Sequence, residues 1–150
     1  MPPTRGTTSA PGIDTTEGAT RLQPETSPSI LVVDDDDLVR SGAARSLTRL
    51  GYSAPSATGP AEALALLRAG KHCIDLLFTD IRMPGAIDGF ELARIVRQEF
   101  PRIAILLTTG FAGRVPKDLS TKILYKPYKL AELAAAVRET LAGRAQTSSG

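Results

Sequence analysis

Residues 30–37 read Ile30-Leu31-Val32-Val33-Asp34-Asp35-Asp36-Asp37: four large aliphatic residues run straight into four aspartates. The aliphatic run is too short for a helix and lacks the polar alternation of a half-exposed strand. It therefore predicts a strand buried on both faces, as in a parallel sheet covered by helices. Ile74 to Thr79, Ile103 to Leu107 and Ile123 to Tyr125 repeat the pattern, and a weaker strand is predicted around Tyr52 to Ala57. Amphipathic segments lie between them and predict helices over Leu38 to Leu50, Ala61 to Ala69, Phe90 to Phe100 and Leu130 to Leu141. Gly51, Gly70, Pro101 and Gly143 stand at or just past their ends. Strand–helix alternation of this kind predicts a doubly wound α/β sandwich.

In such sheets the working site lies beyond the carboxyl ends of the strands, near the point where strand order reverses. The residues found there are Asp34 and Asp35 after the first run, Asp80 after the third, Thr108 and Thr109 after the fourth, and Lys126 after the fifth. Two carboxylates ~6 Å apart repel by about 0.7 kcal/mol in water and about 3 kcal/mol at an effective dielectric near 20. Clustering acids is thus costly unless a cation offsets the repulsion. Carboxylate and backbone oxygens with room for waters suit Mg2+, which keeps part of its hydration shell. Asp36 and Asp37 have a simpler explanation, since they begin the first predicted helix, where a capping side chain and the helix dipole favour an acid. Asp34 and Asp35 continue a buried strand, so the metal role falls to them, Asp35 as a direct ligand and Asp34 through water.

Composition narrows the alternatives. The chain has 150 residues, 42% of them hydrophobic, one cysteine and no tryptophan. This length buries about two-thirds of the unfolded chain's surface, enough for one core without staples. A lone Cys73 cannot build a disulfide framework or a cysteine zinc site, and His72 beside it has no second histidine to act with. The formal net charge of +2 gives no reason to expect nucleic acid or membrane as a partner. Residues 1–28 are rich in Pro, Gly, Ser and Thr and have Ile13 and Leu22 as their only large aliphatics, so a disordered tail is expected. Residues 143–150 are expected to form a flexible C-terminal tail. No apolar stretch approaches the ~20 residues of a membrane span, and no secretory signal is evident, so a cytoplasmic protein is expected.

Four motifs in order carry a resemblance: Ile30-Leu31-Val32-Val33-Asp34-Asp35; Leu77-Phe78-Thr79-Asp80-Ile81-Arg82-Met83-Pro84-Gly85 with Asp88-Gly89; Ile105-Leu106-Leu107-Thr108-Thr109-Gly110; and Tyr125-Lys126-Pro127-Tyr128. Over residues 29–142 the chain resembles the CheY-like receiver domain of two-component response regulators. The resemblance implies a flavodoxin-like, five-stranded parallel sheet of order 2-1-3-4-5. It implies that Asp80 is the phosphoacceptor for a histidine kinase or a histidine phosphotransfer protein. It further implies Mg2+ held by Asp35, Asp80 and the backbone carbonyl of Arg82, with Asp34 acting through water. Lys126 would supply a second positive charge, and the Lys126–Pro127 peptide would be cis. The resemblance makes the chain a phosphoacceptor that assists its own phosphorylation and dephosphorylation, not an enzyme with a separate substrate.

Thr108 and Thr109 compete for the switch hydroxyl. Family strands often place that hydroxyl five residues past a proline whose position Ala104 fills here, which selects Thr109 and leaves Thr108 on the other side of the strand. Two departures stand out. The family's usual aromatic switch position holds Ile123, and only 16 residues separate Thr109 from Lys126, with Gly110, Gly113 and Pro116 among them. The fourth helix is therefore expected to be short or irregular, with Phe111 as core filler or partner contact, and Arg82 is expected at the pocket mouth. Such Thr-Gly-aromatic receivers with a reduced fourth helix are often attached to hybrid kinases or stand alone. Nine residues follow Leu141, too few for a helix-turn-helix output domain in this sequence, so a single-domain regulator acting on an unknown downstream protein is expected. A phosphatase of the haloacid-dehalogenase type would use the first Asp after the first strand and a further acidic motif after the lysine. Only Glu132 and Glu139, both in an amphipathic segment, follow Lys126. A docking module that never takes phosphate would have no need of Asp35, Asp80, Thr109 and Lys126 together.

Overall fold

Each aliphatic run becomes a parallel strand in the computed structural model, which describes residues 27–110 and 121–149. The elements in chain order are β1 (Ile30–Val33), α1 (Asp37–Arg49), β2 (Ser56–Ala57), α2 (Pro60–Ala69), β3 (Leu76–Asp80), α3 (Gly89–Glu99), β4 (Ala104–Thr109), β5 (Lys122–Tyr125) and α4 (Leu130–Ser149). The strands form one sheet in the order β2-β1-β3-β4-β5, all parallel, which is the flavodoxin-like 2-1-3-4-5 arrangement. The reversal of order lies between β1 and β3, and the carboxyl ends of those strands carry Asp34 and Asp80.

Strand alternation divides the core in two. Leu31, Val33, Leu77, Ile105 and Leu107 pack with Ala63, Leu64 and Leu67 of α2 and Leu92, Ala93 and Val96 of α3. Ile30, Val32, Leu76, Phe78, Ala104 and Leu106 pack on the opposite face with Ala43 and Leu47 of α1 and Leu133, Ala136 and Val137 of α4. Both faces are covered, which is why the central strands read as unbroken aliphatic runs.

The structure departs from the sequence reading at three places. Only Ser56 and Ala57 of the weak strand join the ladder, with an isolated bridge from Ser29 to Ser53. Pro55 lies between them and has no N–H to donate, although its carbonyl accepts the Val32 N–H at 2.9 Å. β3 and β4 run further than expected, so Asp80 and both threonines are members of the ladder. Finally, the last helix does not end at Gly143. Residues 143–149, expected as a flexible tail, continue α4 as far as Ser149, because one glycine costs only about 1 kcal/mol in a helix and no proline follows it. Residues 1–26, most of the expected N-terminal tail, and 111–120, which hold Phe111 and on which the expectation of a shortened fourth helix falls, lie outside the described residues.

One glycine is fixed by the site. Gly89 begins α3, and its N–H donates to the Ile81 carbonyl at 2.8 Å. A Cβ there would overlap the Asp80 carbonyl oxygen and stand 2.7 Å from Ile81 Cα, so α3 packs against the strand end only without a side chain. Gly89→Ala is expected to cost at least about 2 kcal/mol, read as a lower urea midpoint; an unchanged midpoint would contradict the close approach.

Candidate functional site

The acidic run splits as its positions suggest. Asp36 is the N-cap of α1, its Oδ1 accepting the N–H groups of Leu38 at 3.0 Å and Val39 at 3.1 Å. Asp37 lies in the first turn and pairs with Arg40 at 2.6 Å. Asp34 is buried, 4% exposed, and its Oδ1 accepts the Asp36 N–H at 2.9 Å. Arg40 Nη1 donates to the Asp34 carbonyl at 2.9 Å, so one arginine ties the strand end to the helix start. Sequence reading missed Arg40; its spacing of three from Asp37 was the available signal.

Asp80, 8% exposed, ends β3, and carboxylate oxygens of Asp34, Asp35 and Asp80 lie within 4.8 Å of one another. Lys126, just past β5, brings its Nζ to 3.5 Å from Asp80 Oδ1 and 3.6 Å from Asp34 Oδ2. Its N–H donates to the Thr109 carbonyl at 2.8 Å, which ties the lysine to the end of β4. The Lys126–Pro127 peptide is cis. Burial pushes the Asp80 carboxyl above the usual carboxylate range; Lys126 draws it partly back, and the Asp34 charge pushes it up again.

Three carboxylates and one lysine leave a formal excess of two negative charges, the charge of one divalent cation. The lysine contacts are longer than the ~2.7–2.9 Å of a charge-assisted hydrogen bond, so the acids are only loosely compensated. All the donors are hard oxygens, and exposed Asp35 forms an open side with room for water. This donor set fits Mg2+. Arg82, two residues past Asp80, is exposed.

Both threonines are buried. Thr108 is the register partner of Asp80, and Thr109 that of Tyr125. Alternation puts Thr108 on the Asp80 face of the sheet and Thr109 on the other. Ile123, at the expected aromatic position, packs against the core shared with α2 and α3. Sequence reading quoted Tyr128 only as the end of the lysine motif and gave it no role; its ring meets Phe78 edge to face at 6.3 Å. Burial first, and then the Asp34 and Asp80 charges, push its phenol up, so it lies within the field of the acidic pocket. The only hint was an aromatic two residues past the lysine.

A doubly wound sheet with acids and a lysine gathered at its switch point defines a class of carboxylate sites built for phosphoryl or metal chemistry. The chain belongs to the response regulator receiver domain family, whose sequence model matches residues 30–138. It is 34% identical over 120 residues to the sensor kinase CckA of Brucella abortus, covering 77% of this chain and 13% of that kinase's length. It is 33% identical over 119 residues to the response regulator receiver protein CpdR of the same organism, covering 75% of this chain and 95% of that protein. A crystal structure of a response regulator receiver protein from Sinorhizobium medicae superposes with a TM-score of 0.70 at 30% identity, covering 80% of this chain and 98% of the other. Receiver domains are signalling domains of two-component systems that interact with histidine kinases and phosphotransfer proteins and bind Mg2+ at an acidic pocket. Among the described residues, no helix is long and apolar enough to cross a membrane.

Proposed function

We propose that this chain is a cytoplasmic single-domain response regulator that accepts a phosphoryl group on Asp80 from a phosphohistidine of a kinase or phosphotransfer protein. The observation that carries the reading is the position of Asp80: a nearly buried carboxylate ending a central strand, with Asp34 and Asp35 on one side and Lys126 3.5 Å from its Oδ1. A carboxylate oxygen of Asp80 attacks phosphorus, the phosphorus–nitrogen bond to the donor imidazole breaks, and the imidazole leaves with the electron pair. Such transfer depends on in-line placement and on positive charge at the equatorial oxygens more than on covalent activation. Lys126 supplies one charge from a compact ammonium. Asp35, Asp80 and the Arg82 carbonyl would hold Mg2+, with Asp34 reaching it through water, and the ion when bound supplies further positive charge to those oxygens. Thr109, at the last position of β4 and hydrogen-bonded through its carbonyl to Lys126, is the switch hydroxyl of this reading: it starts on the opposite face of the sheet from Asp80 and is drawn past the strand end toward the phosphoryl group.

The signal leaves through protein contacts with an unidentified downstream target, as relay or as regulator; neither nucleic acid nor membrane is proposed as a partner. The face made by α1, the end of β5 and the start of α4 is the contact surface we favour. Leu38 is 85% exposed there, Tyr125 52% and Leu130 39%. The reading is tested by incubation with acetyl phosphate. One phosphoryl group per chain is expected with Mg2+ and background labelling with a chelator, a difference of at least about a hundredfold in rate. Equal labelling with and without the metal would overturn it.

A further inference from the structure

Thr108 is 3% exposed, and its hydroxyl is the one buried side-chain polar atom among the described residues with no hydrogen-bond partner. Burying a hydroxyl without an acceptor is destabilising, and valine would have filled the same space without that cost. Its position suggests what the hydroxyl is kept for. Thr108 and Asp80 are direct partners in the β3–β4 ladder. Neighbouring strands lie about 4.8 Å apart, and partners in a parallel ladder project to the same face. Thr109 is one residue along and projects to the other face.

In the unphosphorylated protein the Asp80 carboxylate is already engaged by Lys126, whose Nζ lies 3.5 Å from its Oδ1, and the Ile81 N–H donates to the Thr108 carbonyl at 2.9 Å. A phosphoryl group on Asp80 would bring three strong acceptor oxygens to a donor that has none.

We propose that Thr108 is a second phosphoryl-reading hydroxyl, idle in the unphosphorylated protein and donating to an oxygen of the group carried on Asp80. The inference rests on Asp80 being the phosphoacceptor and adds a residue to that site. It makes the unphosphorylated state the less satisfied of the two and places part of the switch in the sheet itself, where the ladder fixes the donor.

The test uses beryllofluoride, a phosphoryl mimic that binds a carboxylate, with Mg2+ and the full chain. Thr108→Val should raise the melting temperature of the free protein, because an orphaned hydroxyl is removed, and weaken beryllofluoride binding by about tenfold, because a hydrogen bond to a charged group is lost. Thr108→Ser, which keeps the hydroxyl, should bind within about threefold of wild type. A hydroxyl that only fills space would not show opposite signs in the two measurements, nor rescue by serine. Should Thr108→Val not fold, the serine variant against Thr108→Ala makes the same comparison. Wild-type affinity in Thr108→Val would overturn the role of Thr108 while leaving Asp80 in place; absence of binding by wild-type protein would instead overturn the reading of Asp80.

Discussion

Asp80→Asn is expected to bring labelling by acetyl phosphate, or by a phosphohistidine donor, to background, because the amide offers no nucleophilic oxygen with a displaceable charge. The same change should make the metal-free protein more stable at neutral pH. Burial raises the folded-state pKa of Asp80 above its unfolded value, so the folded chain holds this proton to a higher pH than the unfolded chain does. Asp80 therefore favours folding least once pH has risen through its folded pKa, and that loss is absent from the amide. The melting-temperature advantage of Asp80→Asn over wild type, both in chelator, should be small near pH 3 and grow toward pH 7. Mg2+ should then narrow it by stabilising the wild type, which binds the ion better. A variant less stable than wild type at pH 7 would mean that the pocket acids are held for packing. Loss of labelling without the pH-dependent gain would mean that Asp80 is less buried than the fold makes it.

The second large effect is expected at Lys126. Its Nζ lies between Asp34 and Asp80, at 3.6 and 3.5 Å, and so does two things at once. It places positive charge where the phosphoryl oxygens arrive, and before that it competes with a divalent ion for the same two carboxylates. Lys126→Ala should therefore slow phosphorylation by about a hundredfold or more, the usual cost of removing one preorganised charge, while tightening Mg2+ binding. Rates from acetyl phosphate titrations and metal affinity from calorimetry separate the two effects. Slower labelling with weaker Mg2+ binding would indicate that the variant has lost the pocket's shape, and unchanged rates would remove Lys126 from the reaction.

The parts of the molecule that the sequence made legible are those where one local rule acts alone. Unbroken aliphatic runs such as Ile30 to Val33 identify strands covered on both faces, and the two clusters sharing β1, β3 and β4 are the reason. Asp36 and Asp37 were separable from Asp34 and Asp35 because capping is a matter of position along the chain. Less legible were features set by two segments meeting. The orphaned hydroxyl of Thr108 follows from the register between β3 and β4, which two adjacent threonines in a sequence do not disclose. The need for glycine at position 89 comes from the approach of α3 to the Asp80 carbonyl, and the place of Tyr128 beside the acids comes from packing on Phe78. The run of α4 through Gly143 shows a weak stop signal overridden by helix-forming neighbours.

The central claim, that Asp80 carries the phosphoryl group, is tested most directly by labelling the chain with acetyl phosphate and Mg2+ and reducing it at once with borohydride. Reduction converts an aspartyl phosphate to homoserine, which peptide mass spectrometry then locates. Homoserine at position 80 alone is the predicted result. Homoserine at position 34 or 35, or a labelled protein that yields none, would contradict it.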